Sequence, residues 1–234
     1  MVQQAANELS IPEPSQLFGA FDDTSKQLLA LAQREARDFS VMAKDRGGWQ
    51  NLHKEYTFTT VAGQAAYDLP ADFEYFIDRT FWDGAMKWEL LGPISAIEKQ
   101  VLRYGIIANG PRAKFYVRGN QIYLNPTPTS TGTTIAYDYY SNSFCASALG
   151  VDQQKWTADT DTYKLNEDCF VEGIKWRFLR AKGLDYAQEK QDYDNDCQRV
   201  MSRDGGGREL SLTNQSFGAK LLSGDNIPET GYGV

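Results

Sequence analysis

The chain has 234 residues, 41% of them hydrophobic and 24% charged, enough apolar material for a packed core and too much for wholesale disorder. Its 24 Lys and Arg against 31 Asp and Glu leave a net charge of -7, which excludes tight gripping of nucleic acid, since that needs a basic surface to displace counterions from phosphates. No apolar run approaches the ~18 residues of a membrane span, and the N-terminal MVQQAANELSIPEP has no secretory pattern, so none of these destinations is expected.

Residues 1–23 read as an irregular arm because Pro12 and Pro14 interrupt it. Thr24 and Gln27 then stand as a capping box, and Leu28, Leu31, Ala32, Phe39 and Met42 recur at helical spacing, predicting an amphipathic helix over 25–45 that stops at Gly47-Gly48. From residue 54 the period changes to two. Tyr56, Phe58 and Thr60 predict a strand, Gly63-Gln64 a turn, and Ala66–Leu69 a second strand ended by Pro70. The aromatic stretch 73–82 and the return strand 86–91 flank Asp83-Gly84, a strong hairpin signal. A short helical piece over 94–104, a hairpin 114–117/121–124 around Gly119-Asn120, and a last strand over 133–140 complete an antiparallel unit spanning 54–141.

Residues 142–163 form a long connection, ordered by Trp156 and Tyr163. Asn166 caps a second long helix with Glu167 and Asp168 in its first turn. Its apolar stripe runs from Phe170 to Met201, with Gly183 as a weak point and Gly205–Gly207 as its end. The tail 205–234 is rich in glycine and dotted with apolar residues that cannot form a core alone. The fold class is therefore α+β: a helical bundle core from two discontinuous long helices (24–53 and 164–204), an inserted antiparallel β domain (54–141), an N-terminal arm (1–23), a connecting loop (142–163) and an extended C-terminal tail (205–234). Two helices bury little by themselves, so their outer stripes are expected to meet neighbouring copies.

The residue inventory gives no active site. The single histidine, His53, has no nucleophile elbow beside it, and Cys145, Cys169 and Cys197 lack zinc-ligand or disulfide spacing, which fits small core residues and a reducing cytoplasm. Asp192, Asp194 and Asp196 open like a calcium loop but continue with Cys197 and Arg203 where glycine and glutamate are required. Asp152, Asp159 and Asp161 share a loop that invites either a cation or plain solvation. No phosphate loop or dinucleotide fingerprint occurs. We therefore expect no enzyme and no catalytic, cofactor-binding or metal-binding residues. Arg112, Lys114 and Arg118 around Tyr116 form the only basic-aromatic cluster, a site for contact with DNA or with a neighbour's carboxylates.

The order of parts then carries a resemblance. Trp49-Gln50-Leu52, the strand after it, Gly63-Gln64, Tyr67 and Leu69-Pro70-Ala71-Asp72-Phe73, followed by an Asp-Gly hairpin and a long C-terminal helix, resemble the head-to-tail adaptor (connector, tail tubular A-like) proteins of tailed bacteriophages over about residues 24–203. The resemblance implies a structural virion protein of the head-tail neck, assembled in the host cytoplasm as a twelvefold ring beneath the portal. Such a ring extends the channel for double-stranded DNA, which passes non-specifically, and offers a docking platform to a tail or nozzle protein. It also implies that the tail orders against the portal protein through Leu210, Leu212, Phe217, Leu221, Leu222 and Tyr232. The alternatives are another tail, tail-completion or baseplate protein, and a carbohydrate-binding or depolymerising module that uses Trp82 and Trp88 as platforms and Asp72, Glu74 and Asp78 as carboxylates.

Overall fold

The computed structural model describes residues 1–44, 48–105 and 112–205. It is an α+β chain whose two hydrophobic clusters sit one among the helices and one between β-sheets. The first departure from expectation comes at once, because Val2–Glu8 is a helix (α1) rather than an irregular arm. Its Ala5 and Ala6 are fully buried in the helical cluster, so two small side chains let α1 sit close against the other helices. The prolines that suggested irregularity lie after it.

The next helix, α2 (Asp23–Met42), begins earlier than predicted. Asp22, not Thr24, is its cap: the Asp22 carboxylate accepts the backbone N–H of Ser25 at 2.8 Å, and no capping box forms with Gln27. Leu28, Ala32, Ala36 and Phe39 are buried, as the helical period requires. The expected single C-terminal helix is two. Gly183, at φ 72°, closes α4 (Glu167–Lys182) with Gly183 N–H to the Arg180 carbonyl and Leu184 N–H to the Leu179 carbonyl. That pair of bonds is the Schellman closure, which a left-handed glycine makes cheap. The chain then turns into α5 (Ala187–Asp204). The two-long-helix bundle is thereby corrected: α4 is the central helix and packs on α1, α2 and α5. The predicted Asn166 cap is present, accepting from Cys169 N–H at 2.9 Å.

The β-strands follow in chain order: β1 (His53–Thr59), β2 (Ala66–Asp68), β3 (Phe73–Phe76), β4 (Trp82–Asp83), β5 (Trp88–Glu89), β6 (Lys114–Arg118), β7 (Gln121–Asn125), β8 (Thr134–Ser141), β9 (Cys145–Ala146), β10 (Asp152–Gln153) and β11 (Thr162–Tyr163). The short α3 (Ala96–Tyr104) lies between β5 and β6. One sheet runs β1-β8-β4-β5 with β3 also on β8, a second runs β2-β7-β6, and a third is the small β10-β9-β11. The Gly119-Asn120 hairpin forms in the expected register, with Tyr116 opposite Tyr123. Around Asp83-Gly84 the paired segments are only two residues long, because the Asp83 carboxylate accepts from Ala85 N–H and Met86 N–H and holds a longer turn.

The first two sheets enclose one aromatic core. Phe81 stacks on Tyr137 at 4.3 Å and on Phe115 at 3.9 Å, joining β8 to β6. Strand β8 then passes from one core to the other: Ile135, Tyr137 and Tyr139 belong to the β cluster, while Tyr140 packs into the helical one. The connection 142–163 is ordered as expected around Trp156 and Tyr163, which close on Phe144 and Phe170.

Candidate interaction surfaces

The three basic residues singled out from sequence lie together on or beside β6. Lys114, Tyr116 and Arg118 alternate on one face of the strand, since successive strand residues point to opposite sides. Tyr116 stacks on Tyr123 at 5.0 Å and carries the Lys99 ammonium at 4.4 Å from its ring. Lys114 is neutralised by Glu98 of α3 at 2.6 Å, while Arg112 and Arg118 are exposed. The cluster is thus an aromatic-polar face half covered by α3, with two open guanidinium groups. The tail residues Leu210, Leu212, Phe217, Leu221, Leu222 and Tyr232 lie outside the described residues.

Helix α3 leans on β6 through those polar contacts and turns its apolar stripe away. Ile97, Val101 and Tyr104 recur at helical spacing, and Ile97 and Tyr104 are 79% and 74% exposed. Such a stripe is stable in water only at a cost, which is what a partner-binding edge looks like. Its signal was available in the sequence as a helical period with no neighbouring apolar element to match it.

A second surface lies along α2. Arg34, Arg37 and Lys155 line an open groove, of about 730 and 750 Å³ in its two parts, between α2 and the 142–155 segment. Asp38 and Glu74 line it as well, but Asp38 is already held by Arg177 at 3.0 Å and Arg34 at 3.7 Å. A cavity of about 200 Å³ with a mixed lining, Leu17, Leu29 and Phe170 beside Gln3, Asp159 and Asp161, sits beside α1 at the 14–18 segment.

The interior of the helical part carries a charge that sequence reasoning passed over. Glu35 is fully buried. It is bonded to Arg177 Nε and accepts the Tyr193 hydroxyl at 2.6 Å, tying α2, α4 and α5 together. Burial pushes the Glu35 carboxyl above its ordinary range, with Tyr193 and Arg177 pulling it back. A carboxylate seven residues after Leu28 on an apolar helical face was the legible sign. Glycine at 173 is required here, because a Cβ would overlap the Glu35 carboxyl.

Of the carboxylates considered for chemistry, Asp72 is committed to structural hydrogen bonds. Asp72, named with Glu74 and Asp78 as a candidate carboxylate, accepts from Lys54 Nζ at 2.6 Å, Tyr139 Oη at 2.9 Å and Ser141 Oγ at 2.8 Å, while Glu74 and Asp78 are exposed. Burial alone would raise the Asp72 carboxyl, but these donors outweigh it and hold it below the usual range. Trp82 pairs with Glu89 and Asp83 with Trp88, so the two tryptophans occupy opposite faces of their ribbon and make no common platform.

In the loop, Asp152 binds Lys54 and Lys164, Asp159 accepts from Leu17 N–H and Phe18 N–H, and Asp161 caps Thr157 and Ala158. On α5, Asp194 pairs with Lys190 and Asp196 with Arg199. Among the described residues no group of side chains is arranged to hold a metal ion, and no helix is long and apolar enough to cross a membrane. All three cysteines are buried, and burial pushes the Cys145 thiol up to about 11. His53 opens β1 with Nε2 3.4 Å from Asp138.

Residues 1–213 match the family model described as SU10 adaptor protein. No curated protein matches the chain.

Proposed function

The chain belongs to the SU10 adaptor protein family, a phage structural adaptor assignment that suggests a non-enzymatic virion component, and from it we propose a head-to-tail adaptor that forms a ring beneath the portal. In this reading the ring extends the DNA channel of the neck and presents a docking platform to the tail. The family match over residues 1–213 is the observation that carries it. The net charge of -7 suits a wall past which DNA slides without sticking.

We read 24–53 and 164–204 as the ring-forming helical part, 54–141 as an inserted β domain, and 205–234 as the segment that orders against the portal through Leu210, Leu212, Phe217, Leu221, Leu222 and Tyr232. The exposed Ile97-Val101-Tyr104 stripe supports a tail-facing role for the β domain. The same stripe favours the second reading, a tail-completion or baseplate protein that docks by that edge alone.

The test is cryo-electron microscopy of the protein with its phage's portal, using the full chain and a variant lacking 205–234. The adaptor reading expects a ring under the portal with the full chain and weakened attachment after truncation, with the rest still folded. A protein that ignores the portal and caps tail tubes would overturn it in favour of the second reading. Full co-sedimentation of the truncated chain with portal would remove the role given to the tail.

A further inference from the structure

Two helix faces of opposite charge are left open on either flank of α4. On α2 the exposed face carries Lys26, Arg34 and Arg37 against Asp23 and Asp38, and Lys44 follows just beyond its end, a local excess of positive charge in a chain of net charge -7. Arg37 and the adjoining Lys155 form no ion pair among the described residues, and both front the open groove beside α2.

On α5 the reverse holds. Tyr193 and Cys197 point into the core, which turns Asp192 outward and leaves Glu189 half-buried at the margin of the same face. Asp194 and Asp196 are matched within the helix, but Glu189 and Asp192 have no cation among the described residues. Glu172 of α4 lies beside them, half-buried and hydrogen-bonded to Asp196 rather than open. Burial and then Asp196 push its carboxyl above the ordinary range, and the nearby Lys175 is already engaged by Glu8 at 2.7 Å. The surplus is local, and nothing within the protomer's described residues neutralises it.

The geometry points to a heterologous contact between copies, in which the Glu189–Asp192 face of α5 on one protomer seats in the Arg34–Arg37–Lys155 groove of the next. The occupant is a second copy of this chain because the two charges are complementary and lie on one protomer, on different helices packed around α4. Two different patches that fit each other propagate head to tail and close when the rotation divides the circle. Asp38 and Glu74 share the groove, so its attraction for the acidic face rests on Arg37 and Lys155, which have no ion pair among the described residues. The inference deepens the proposed ring and rests on it, naming the surfaces that would join its subunits.

The test is charge reversal in the full chain, read by ring occupancy on the phage's portal in electron micrographs and by salt dependence. Arg34→Glu with Arg37→Glu reverses one face, and Glu189→Lys with Asp192→Lys reverses the other. Each pair alone should reduce ring occupancy at least about tenfold, as expected when like charges face each other at an interface. All four changes together restore complementarity and should recover most of the wild-type occupancy, which a merely misfolded variant could not do. Wild-type occupancy should also fall as salt rises from about 0.1 to 1 M, over which the screening length drops from about 10 to about 3 Å. Rings of normal occupancy from both single-face variants would overturn the contact and leave the ring intact. Absence of a wild-type ring would overturn the proposed function and this contact with it.

Discussion

Asp72 gives the most exacting test of the structural reasoning. It belongs to the Leu69–Phe73 stretch that precedes β3, and its carboxylate collects three donors: Lys54 of β1 and Tyr139 and Ser141 of β8. Tyr139 and Ser141 are buried, so Asp72→Ala leaves two hydroxyl donors without their acceptor, each costing about 1–3 kcal/mol, although Ser141 Oγ still accepts from Ser143 N–H. Lys54 retains Asp152 and loses less. Allowing for local relaxation, the variant should lose about 3–5 kcal/mol. For a chain of this size that is a fall in Tm of roughly 6–20 °C. Glu74→Ala, two residues away and exposed, should stay within about 0.5 kcal/mol of the parent.

The same site fixes a pH dependence. Asp72 and Asp152 both stand below the ordinary carboxylate range in the folded chain, where burial is outweighed by lysine and hydroxyl donors. A carboxyl depressed on folding contributes stability that is complete above its unfolded pKa, about 3.9, and is lost as pH falls through the folded value. The gap between parent and Asp72→Ala should therefore be widest near pH 7 and narrow steadily below pH 4. Thermal melts by circular dichroism from pH 7 to pH 3, with Glu74→Ala as control, measure it. An Asp72→Ala melt that coincides with Glu74→Ala, or a gap unchanged at pH 3, would refute the argument.

Glu35→Ala should be among the most destabilising single changes, about 3–5 kcal/mol, because it leaves the nearly buried Arg177 and the buried Tyr193 hydroxyl without their shared partner; urea unfolding that finds less than 1 kcal/mol would contradict the network. Gly173→Ala separates two effects of opposite sign, since helix propensity alone favours alanine by about 1 kcal/mol. Overlap with the Glu35 carboxyl should win and cost about 1–3 kcal/mol, so a rise in Tm would be the contrary result. All three cysteines should resist a thiol reagent in the native chain at pH 8 and react fully in denaturant, as buried thiols do; fast native labelling would show a more open core.

Periodicity made the outward features legible. The α2 stripe, the alternation of β1, the Gly119-Asn120 hairpin and the Asn166 cap all came from local patterns whose physics needs few neighbours. Misreadings arose where tertiary contacts decide. A seven-residue helix such as α1 is too short to hold itself, and it forms because Ala5 and Ala6 fit against the bundle, which no local period announces. Gly183 had the opposite ambiguity: within a continuous apolar stripe it reads as a tolerated weak point, yet in the left-handed region it ends α4 and folds α5 back. Asp72 alternates like a solvent-facing residue, but the register shift between Phe73 and Tyr75 on β8 breaks the simple two-residue count there.

The candidate surfaces divide along the same line. Arg112, Lys114 and Arg118 were visible as a basic-aromatic run, yet only the fold reveals that Glu98 already neutralises Lys114 and that Lys99 lies over Tyr116. The groove on α2 needed the fold as well, because Lys155 comes from a loop more than a hundred residues away. The carboxylates of Glu35 and Asp72 and their hydroxyl partners hold elements of the chain together. What it leaves open are broad faces: an apolar stripe on α3, a basic face on α2 and an acidic one on α5. Faces of that kind acquire meaning only against a complementary surface, which is the economy expected of an adaptor. The charge-reversal experiment therefore bears on more than one interface, since restoration by the fourfold variant would mean that the protomer carries both halves of its own assembly code.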